Sequence, residues 1–235
     1  MRTIAGRRAL AILSTPEAAP KGRVLAYHGV GTPEWGIYDT PPDDFHRQVT
    51  WALEHGYRFV PASSVAQGAA SEMDLALTFD DGLASVVQNA APFLKELGLP
   101  STLFVISGKT GGQRLDWGGI RAAQSMGMSI GSHSVSHRDF STLNAAQTLE
   151  ELLDSAAAIE SHLGGRVGEF AIPYGKARNW SQSAQDAARA RYDNIYSFCE
   201  RGRFPGTIGR TALLSFDGVG GFVAALEGRL DRWHD

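Results

Sequence analysis

Short apolar runs alternate with amphipathic stretches along most of this chain. Residues 102–106 are almost wholly apolar and rich in β-branched side chains, which is typical of a central parallel strand covered on both faces. Residues 45–55 instead carry apolar side chains at helical spacing and are followed by Gly56, which predicts an amphipathic helix. Such segments recur at intervals of roughly 25 to 40 residues, which predicts repeated βα units around a parallel sheet or barrel.

The same pattern predicts the remaining elements. Further strands are expected at residues 23–27, 57–60, 75–79, 129–130, 169–172, 194–198 and 207–214, and further helices at 63–70, 83–97, 117–126, 145–163, 181–190 and 219–230. About seven βα units fit a closed barrel better than an open sheet. We therefore expect an α/β fold, a deformed (β/α)7-8 barrel that is TIM-like and forms a single domain.

The turn-forming residues 18–22 suggest a boundary near the start of the chain. We interpret residues 1–20 as an N-terminal extension and residues 21–235 as the main domain. The first residues are basic, but the apolar stretch after them is shorter than the ~7 to 15 residues of a secretory signal, and no run approaches the ~18 apolar residues of a membrane span. We therefore expect a cytoplasmic protein with no membrane span.

Charge and cysteine content exclude some functions. The formal net charge is −3, with 22 basic against 25 acidic residues, so the chain lacks the cationic footprint of a nucleic-acid-binding protein. Cys199 is the only cysteine, and no intrachain disulfide can form. The composition leaves the oligomeric state open.

Candidate chemistry is concentrated at two predicted strand ends. Asp80 and Asp81 follow the apolar run 75–77, and His133 and His137 follow 128–131. Each pair alone is weak evidence, because two acids before a glycine are commonly a solvated turn. Together, one carboxylate and two imidazoles suit a borderline divalent ion and leave positions open for water and substrate. The second carboxylate can then act as a general base.

Three segments in this order resemble the first motifs of the polysaccharide deacetylases, carbohydrate esterase family four. They are residues 78–82 (Thr-Phe-Asp-Asp-Gly), 132–137 (Ser-His-Ser-Val-Ser-His) and 170–175 (Phe-Ala-Ile-Pro-Tyr-Gly), and weaker similarities lie at 25–30, 99–105 and 115–117. The likeness covers about residues 23–212. It implies a deformed barrel of about seven strands.

The resemblance also implies roles for individual residues. Asp81, His133 and His137 would be the metal ligands, and Asp80 would be the general base. The backbone N–H of Tyr174 would help to stabilise the oxyanion, and Pro173 and Tyr174 would shape one wall of the substrate groove.

The chain departs from the family pattern in two places. Many members carry an arginine where this chain has Ala171, and Arg210 is a candidate substitute for it. Many members also use a late histidine as general acid, whereas the last histidine here, His234, lies one residue from the end and is expected to be a frayed tail. His28 resembles the early histidine of poly-N-acetylglucosamine deacetylases, and we assign it the acid role.

We therefore expect a metal-dependent hydrolase that removes N-acetyl or O-acetyl groups from an amino sugar or polysaccharide. Its cofactor would be one divalent metal ion, zinc first, with cobalt, nickel or iron as alternatives. The alternative functions are a cyclic amide or ureide hydrolase on the same barrel, an iron oxygenase using two His and one Asp, and a non-catalytic carbohydrate-binding homologue.

Overall fold

Seven parallel strands close into a barrel in a computed structural model that describes residues 3–19, 21–200 and 202–233. The barrel strands are β1 (Arg23–Tyr27), β5 (Asp74–Phe79), β6 (Ser101–Val105), β7 (Met128–Ser132), β8 (Glu169–Ala171), β9 (Asn194–Phe198) and β10 (Ile208–Ala212). Three short strands lie outside the ring: β2 (Gly29–Val30), β3 (Asp39–Thr40) and β4 (Arg58–Phe59). The predicted deformed (β/α) barrel in one domain is confirmed.

Barrel closure depends on β1, which pairs with β10 on one side and with β5 on the other. The register aligns Val24 with Arg210 and Ala26 with Thr78. Because side chains alternate across a strand, one set fills the barrel and the other packs against the helices. This register brings the end of the first strand between those of β5 and β10.

The helices surround the barrel and bury apolar faces against it. They are α1 (Ile4–Leu13), α2 (Pro42–Glu54), α3 (Ala62–Ala66), α4 (Ala91–Glu96), α5 (Trp117–Ser125), α6 (Ala145–Leu163), α7 (Gln182–Arg191) and α8 (Gly218–Leu226). The longest, α6, begins with a capping box between Asn144 and Gln147 and ends at Gly164 in a left-handed conformation. Both caps satisfy backbone groups that a helix end otherwise leaves unpaired.

The single helix predicted over residues 83–97 is divided in the structure. A π-helical turn occupies Val86–Ala90, and only Ala91–Glu96 is α-helical. Pro92 lies in the first turn of α4. Proline has no N–H, and its ring crowds the carbonyl four residues earlier. The wider π-helical turn before Pro92 therefore leaves room for the ring that a regular α-helix would not.

The N-terminal helix α1 is attached to the barrel by a buried arginine. Arg7 lies on α1 with 1% of its surface exposed and makes two hydrogen bonds, of 2.7 and 2.8 Å, to the carboxylate of Asp217. Its guanidinium also donates to the carbonyl oxygen of Ala212 and lies 5.2 Å from the ring centre of Trp233. The domain boundary at residues 20 and 21 stays a prediction, and Pro20 itself lies outside the described residues.

We predict that Arg7→Ala lowers the free energy of unfolding by about 3–5 kcal/mol, because it leaves the buried Asp217 carboxylate unpaired. Arg8→Ala is the matched control, since Arg8 has the same charge on the same helix and is exposed. Urea denaturation of both variants measures the difference. Equal stability of the two variants would contradict this role for Arg7.

Candidate metal centre and active site

The residues singled out by the sequence meet at the carboxyl-terminal mouth of the barrel. Asp80 and Asp81 follow β5, His28 follows β1, and His133 and His137 lie directly after β7. Parallel strands all present their carboxyl ends to the same side, so loops from non-adjacent strands converge there. The structure brings these five side chains into one cluster.

Asp81, His133 and His137 form a group that could hold a metal ion. Each offers one ligand atom, and these atoms all lie within 4.8 Å of one another. The Nε2 atom of His137 is 3.8 Å from a carboxylate oxygen of Asp81, and the two imidazole centres are 4.8 Å apart. Within the described ranges this is the only such group of three histidine, cysteine or acidic residues.

The hydrogen bond of one imidazole and the burial of the other suit metal binding. The Nδ1 atom of His133 lies 2.8 Å from the carbonyl oxygen of Ala171, and because a carbonyl only accepts hydrogen bonds, Nδ1 carries the proton and Nε2 is left as the ligand atom. Burial, reinforced by His133, lowers the pKa of His137 to about 4, although Asp81 opposes the shift. A neutral imidazole is the form that coordinates a metal.

The loop that carries the two histidines is held in an unusual backbone conformation. Ser134 and His137 have φ angles of 67° and 60°, a left-handed region that non-glycine residues adopt only where the surroundings support it. The backbone N–H of His137 donates to Ser134 Oγ at 2.9 Å. Glu151 of α6, itself 5% exposed, accepts hydrogen bonds from both the N–H and the hydroxyl of Ser136. The sequence reasoning missed Glu151, because nothing in the helical pattern of α6 marks it.

Asp80 is bound by a buried arginine. Arg210 of β10 donates from two nitrogens to its two carboxylate oxygens at 2.7 and 2.8 Å, and neither side chain is more than 2% exposed. Burial alone would raise the pKa of Asp80, but the charge of Arg210, with smaller contributions from His133 and His28, holds it well below its ordinary value. Asp80 is therefore an ionised carboxylate with a fixed orientation.

Arg210 is the candidate substitute for the arginine that is missing at Ala171. It contacts Asp80, as that role requires. Its guanidinium lies 5.3 Å from the ring centre of Phe104 and 5.4 Å from that of Phe198. It also donates to the hydroxyl of Thr78, which in turn donates to the carbonyl of Leu25. The guanidinium therefore reaches Asp80 from β10, two strands away from the strand that carries Ala171.

His28 follows β1, the strand that lies between β5 and β10, and is therefore close to these groups. Burial lowers the pKa of His28, whereas Asp80 and Asp81 act to raise it. Its Nδ1 atom is buried and has no hydrogen-bond partner among the described residues. The imidazole is 5.0 Å from the ring of Tyr38, measured between centres. His28 therefore has an unsatisfied nitrogen within the electrostatic reach of both aspartates.

Tyr174 borders the site from the end of β8. Its φ angle is 62°, its side chain is 50% exposed, and its ring centre lies 4.6 Å from that of His137. Pro173, before it, is buried. Gly175, with φ of 67°, could not carry a side chain, since a Cβ atom there would be 2.4 Å from the Phe198 ring. The glycine thus allows the turn that presents Tyr174 at the mouth.

The remaining described histidines make ordinary packing contacts outside the cluster. Their rings lie against Phe93, Trp51 and Trp117 at 4.1, 3.7 and 4.0 Å between centres, for His46, His55 and His162 respectively. His234, expected to be a frayed tail, lies outside the described residues. Of the described histidines, only His28, His133 and His137 belong to the candidate site.

This donor set fits a borderline divalent ion. One carboxylate and two imidazoles are ligands that zinc, cobalt, nickel and iron all accept. The hydrogen bond from His133 to Ala171 orients one ligand, and the loop contacts of Ser134 and Glu151 orient the other. The ionised carboxylate of Asp80 next to this group provides a proton acceptor.

Three comparisons bear on the chain as a whole. The family model described as polysaccharide deacetylase matches residues 67–195. YxkH of Bacillus subtilis, provisionally named a polysaccharide deacetylase, is 26% identical over 167 residues, which cover 68% of this chain and 59% of that protein. The chain thus matches less than two thirds of the length of this curated relative.

Two solved structures share the fold. The deacetylase PplD of Streptococcus pyogenes, solved with acetate, superposes with a TM-score of 0.76 at 23% identity, covering 90% of this chain and 99% of that one. IcaB of Ammonifex degensii gives the same TM-score and identity, with 89% and 98% covered. Within the described residues, no helix is long and apolar enough to cross a membrane.

We predict that Arg210→Gln lowers the free energy of unfolding by about 3–5 kcal/mol at neutral pH, because it leaves Asp80 buried and unpaired. The folded-state pKa of Asp80 is depressed, so the pair contributes stability above the ordinary carboxyl pKa of about 4 and loses it on acidification. The deficit of the variant should therefore shrink as the pH is lowered below that value.

The control for this measurement is Arg58→Gln. Arg58 also pairs with an aspartate, Asp74, but its side chain is 69% exposed, so the expected loss is below about 1 kcal/mol. Denaturant titrations at several pH values give both numbers. A pH-independent deficit in Arg210→Gln would show that lost packing, and not the ion pair, is responsible.

Proposed function

Since the chain belongs to the polysaccharide deacetylase family, we propose that it is a metal-dependent hydrolase that removes N-acetyl groups from an amino sugar within a carbohydrate. Water adds to the acetyl carbonyl carbon, the bond from that carbon to nitrogen breaks, and acetate and a free amine are released. The observation that carries this proposal is the pairing of an ionised, arginine-bound Asp80 with the neighbouring group Asp81, His133 and His137.

The residues that would hold the ion are Asp81, His133 and His137. A bound divalent ion would polarise the acetyl carbonyl and lower the pKa of a water molecule towards ~7. Zinc is the first expectation, and cobalt, nickel and iron accept the same ligands. The pKa of His137, lowered to about 4, favours the neutral imidazole that such a site needs at physiological pH.

Asp80 would accept the proton of the attacking water. Arg210 keeps this carboxylate ionised and fixes both of its oxygens. A general base must be in its deprotonated form and within hydrogen-bond reach of the proton that it removes. The ion pair keeps Asp80 deprotonated at all physiological pH values. Because it fixes the carboxylate, it also limits the directions from which a water proton can come within hydrogen-bond reach.

His28 would protonate the departing amine, and the backbone N–H of Tyr174 would donate a hydrogen bond to the oxyanion. The free Nδ1 of His28 and its electrostatic interaction with Asp80 and Asp81 support the acid role. The left-handed turn at Tyr174 and the contact of its ring with His137 support a place beside the reacting carbonyl. Pre-oriented donors of this kind stabilise developing negative charge.

We predict that Asp80→Asn retains metal but lowers kcat by a factor of about 10² to 10⁴, the usual contribution of a general base. His133→Ala should instead lose metal, because it removes one of three ligands. Acetate release from chitooligosaccharides and metal content after dialysis are measured on the same preparations. Near-normal turnover by Asp80→Asn would show that another group is the base.

Chelation is the companion measurement to these variants. Treatment of the wild type with a chelator should stop acetate release, and added zinc should restore it. A cyclic ureide offered beside the chitooligosaccharide distinguishes the deacetylase from the ureide hydrolase. Turnover of the ureide alone, or full activity in chelator, would overturn the proposal.

We predict that kcat/KM falls on the alkaline side of the pH profile with an apparent pKa below the ordinary histidine value of about 6.5. The reason is that a general acid acts in its protonated form and burial lowers the pKa of His28. In His28→Gln this limb should disappear together with most of the rate. The measurement is the pH dependence of acetate release by both proteins. An unchanged alkaline limb in the variant would remove His28 from the acid role.

A further inference from the structure

Tyr38 is an exposed aromatic side chain at the mouth of the candidate site. Its side chain is 45% exposed, and its ring lies 5.0 Å from the imidazole of His28 and is tilted by 50° from it. A tyrosine ring combines an apolar body with a polar tip, so one exposed beside reactive groups is able to contact a bound ligand. The reaction steps assigned above leave this ring without a role.

The segment that carries Tyr38 is held firmly at its base. Residues 29–40 form a loop in which β2 pairs with β3, and Asp39 accepts a hydrogen bond from the N–H of Thr32 at 2.7 Å. Gly36 adopts φ of 58° and ψ of −122°, and this kink interrupts the 3₁₀ segment Pro33–Tyr38. A side chain would be strained in that conformation.

Three contacts attach the middle of this loop to neighbouring parts of the barrel mouth. Trp35 donates to the side chain of Gln113 at 3.1 Å, and its ring faces the guanidinium of Arg114 at 5.2 Å. Arg114 also donates to the backbone carbonyl of Asp81. On the other side, the carbonyl of Ile37 accepts the N–H of Ser215 at 3.0 Å. The Tyr38 ring is therefore presented on a braced loop.

Tyr38 and Tyr174 approach the cluster from opposite sides. In the closed ring, β8 is separated from β1 by β10 and β9 in one direction and by β5, β6 and β7 in the other. Tyr38 follows β1 and lies against His28, whereas Tyr174 follows β8 and lies against His137. A seven-strand ring is about 13 Å across at the usual strand spacing and tilt, which is wider than a single pyranose ring.

We propose that Tyr38 is a substrate-positioning residue whose ring stacks on a sugar next to the one that is deacetylated, so that the site selects oligomers over a lone N-acetylated monosaccharide. The inference rests on the proposed function. The apolar face of a pyranose suits an aromatic ring, and a braced ring loses little conformational freedom on binding. The substrate class is therefore an extended amino-sugar chain lying across the mouth from Tyr38 towards Tyr174.

The experiment compares wild type, Tyr38→Ala, Tyr38→Phe and the control Ile37→Ala, using N-acetylglucosamine and its β-1,4-linked pentasaccharide. Ile37 is the adjacent residue and is 44% exposed, so its loss tests for general damage to the loop. Tyr38→Ala should raise KM for the pentasaccharide about fivefold to tenfold and change kcat by less than about twofold. Tyr38→Phe and Ile37→Ala should behave like the wild type.

Three results would overturn the assignment. A pentasaccharide KM unchanged in Tyr38→Ala removes the ring from binding. A loss of kcat at constant KM means that Tyr38 acts through His28. A defect in Tyr38→Phe as large as in Tyr38→Ala means that the hydroxyl, and not stacking, is responsible.

Calorimetric titration of the pentasaccharide into chelated protein separates this inference from the proposed function. Binding can then be measured without turnover, and Tyr38→Ala should weaken it by the same factor. Absence of acetate release by the metal-loaded wild type would overturn the proposed function. Equal affinities of wild type and Tyr38→Ala in the calorimeter would overturn the role of Tyr38 by itself.

Discussion

The ion pair between Asp80 and Arg210 links the core of the barrel to the candidate site. It joins the end of β5 to β10 across β1, and both side chains are buried. A charge removed from water is tolerated only when it is paired and hydrogen-bonded, so each residue requires the other. The same contact keeps Asp80 ionised and fixes its direction, while Asp81, with φ of 69°, presents its carboxylate to the two histidines.

The rest of the cluster depends on constraints that differ from one side of the mouth to the other. On the β7 side, the loop with His133 and His137 is strained and is held by buried polar contacts from Ala171, Ser134 and Glu151. On the β1 side, the loop with Tyr38 is braced but exposes its ring. A strained but well-anchored backbone suits side chains that must keep a fixed geometry as metal ligands. An exposed ring instead suits contact with substrate.

Local sequence patterns predicted the elements well where periodicity was strong. The apolar run at residues 102–106 is strand β6 with both ends displaced by one residue, and the helix expected over 145–163 is α6. The pattern did not predict the structure where a local irregularity or a tertiary contact decided it. Pro92 follows a π-helical turn inside the helix expected over 83–97, and α1 owes its attachment to the buried Arg7, which looks like a surface charge in sequence.

The sequence by itself determined the alternation of strands and helices, the chemical types of the candidate ligands and their location at strand ends, because these follow from hydrophobic periodicity and from the order of residues along the chain. Only the tertiary structure decided which distant groups complete the site. Arg210, a candidate in the sequence only through the family resemblance, lies 130 residues from Asp80 along the chain, and Glu151 approaches the cluster from a helix that carries no local signal. Such contacts depend on strand register and on closure of β1 between β5 and β10, which bring together residues that no short stretch of sequence connects.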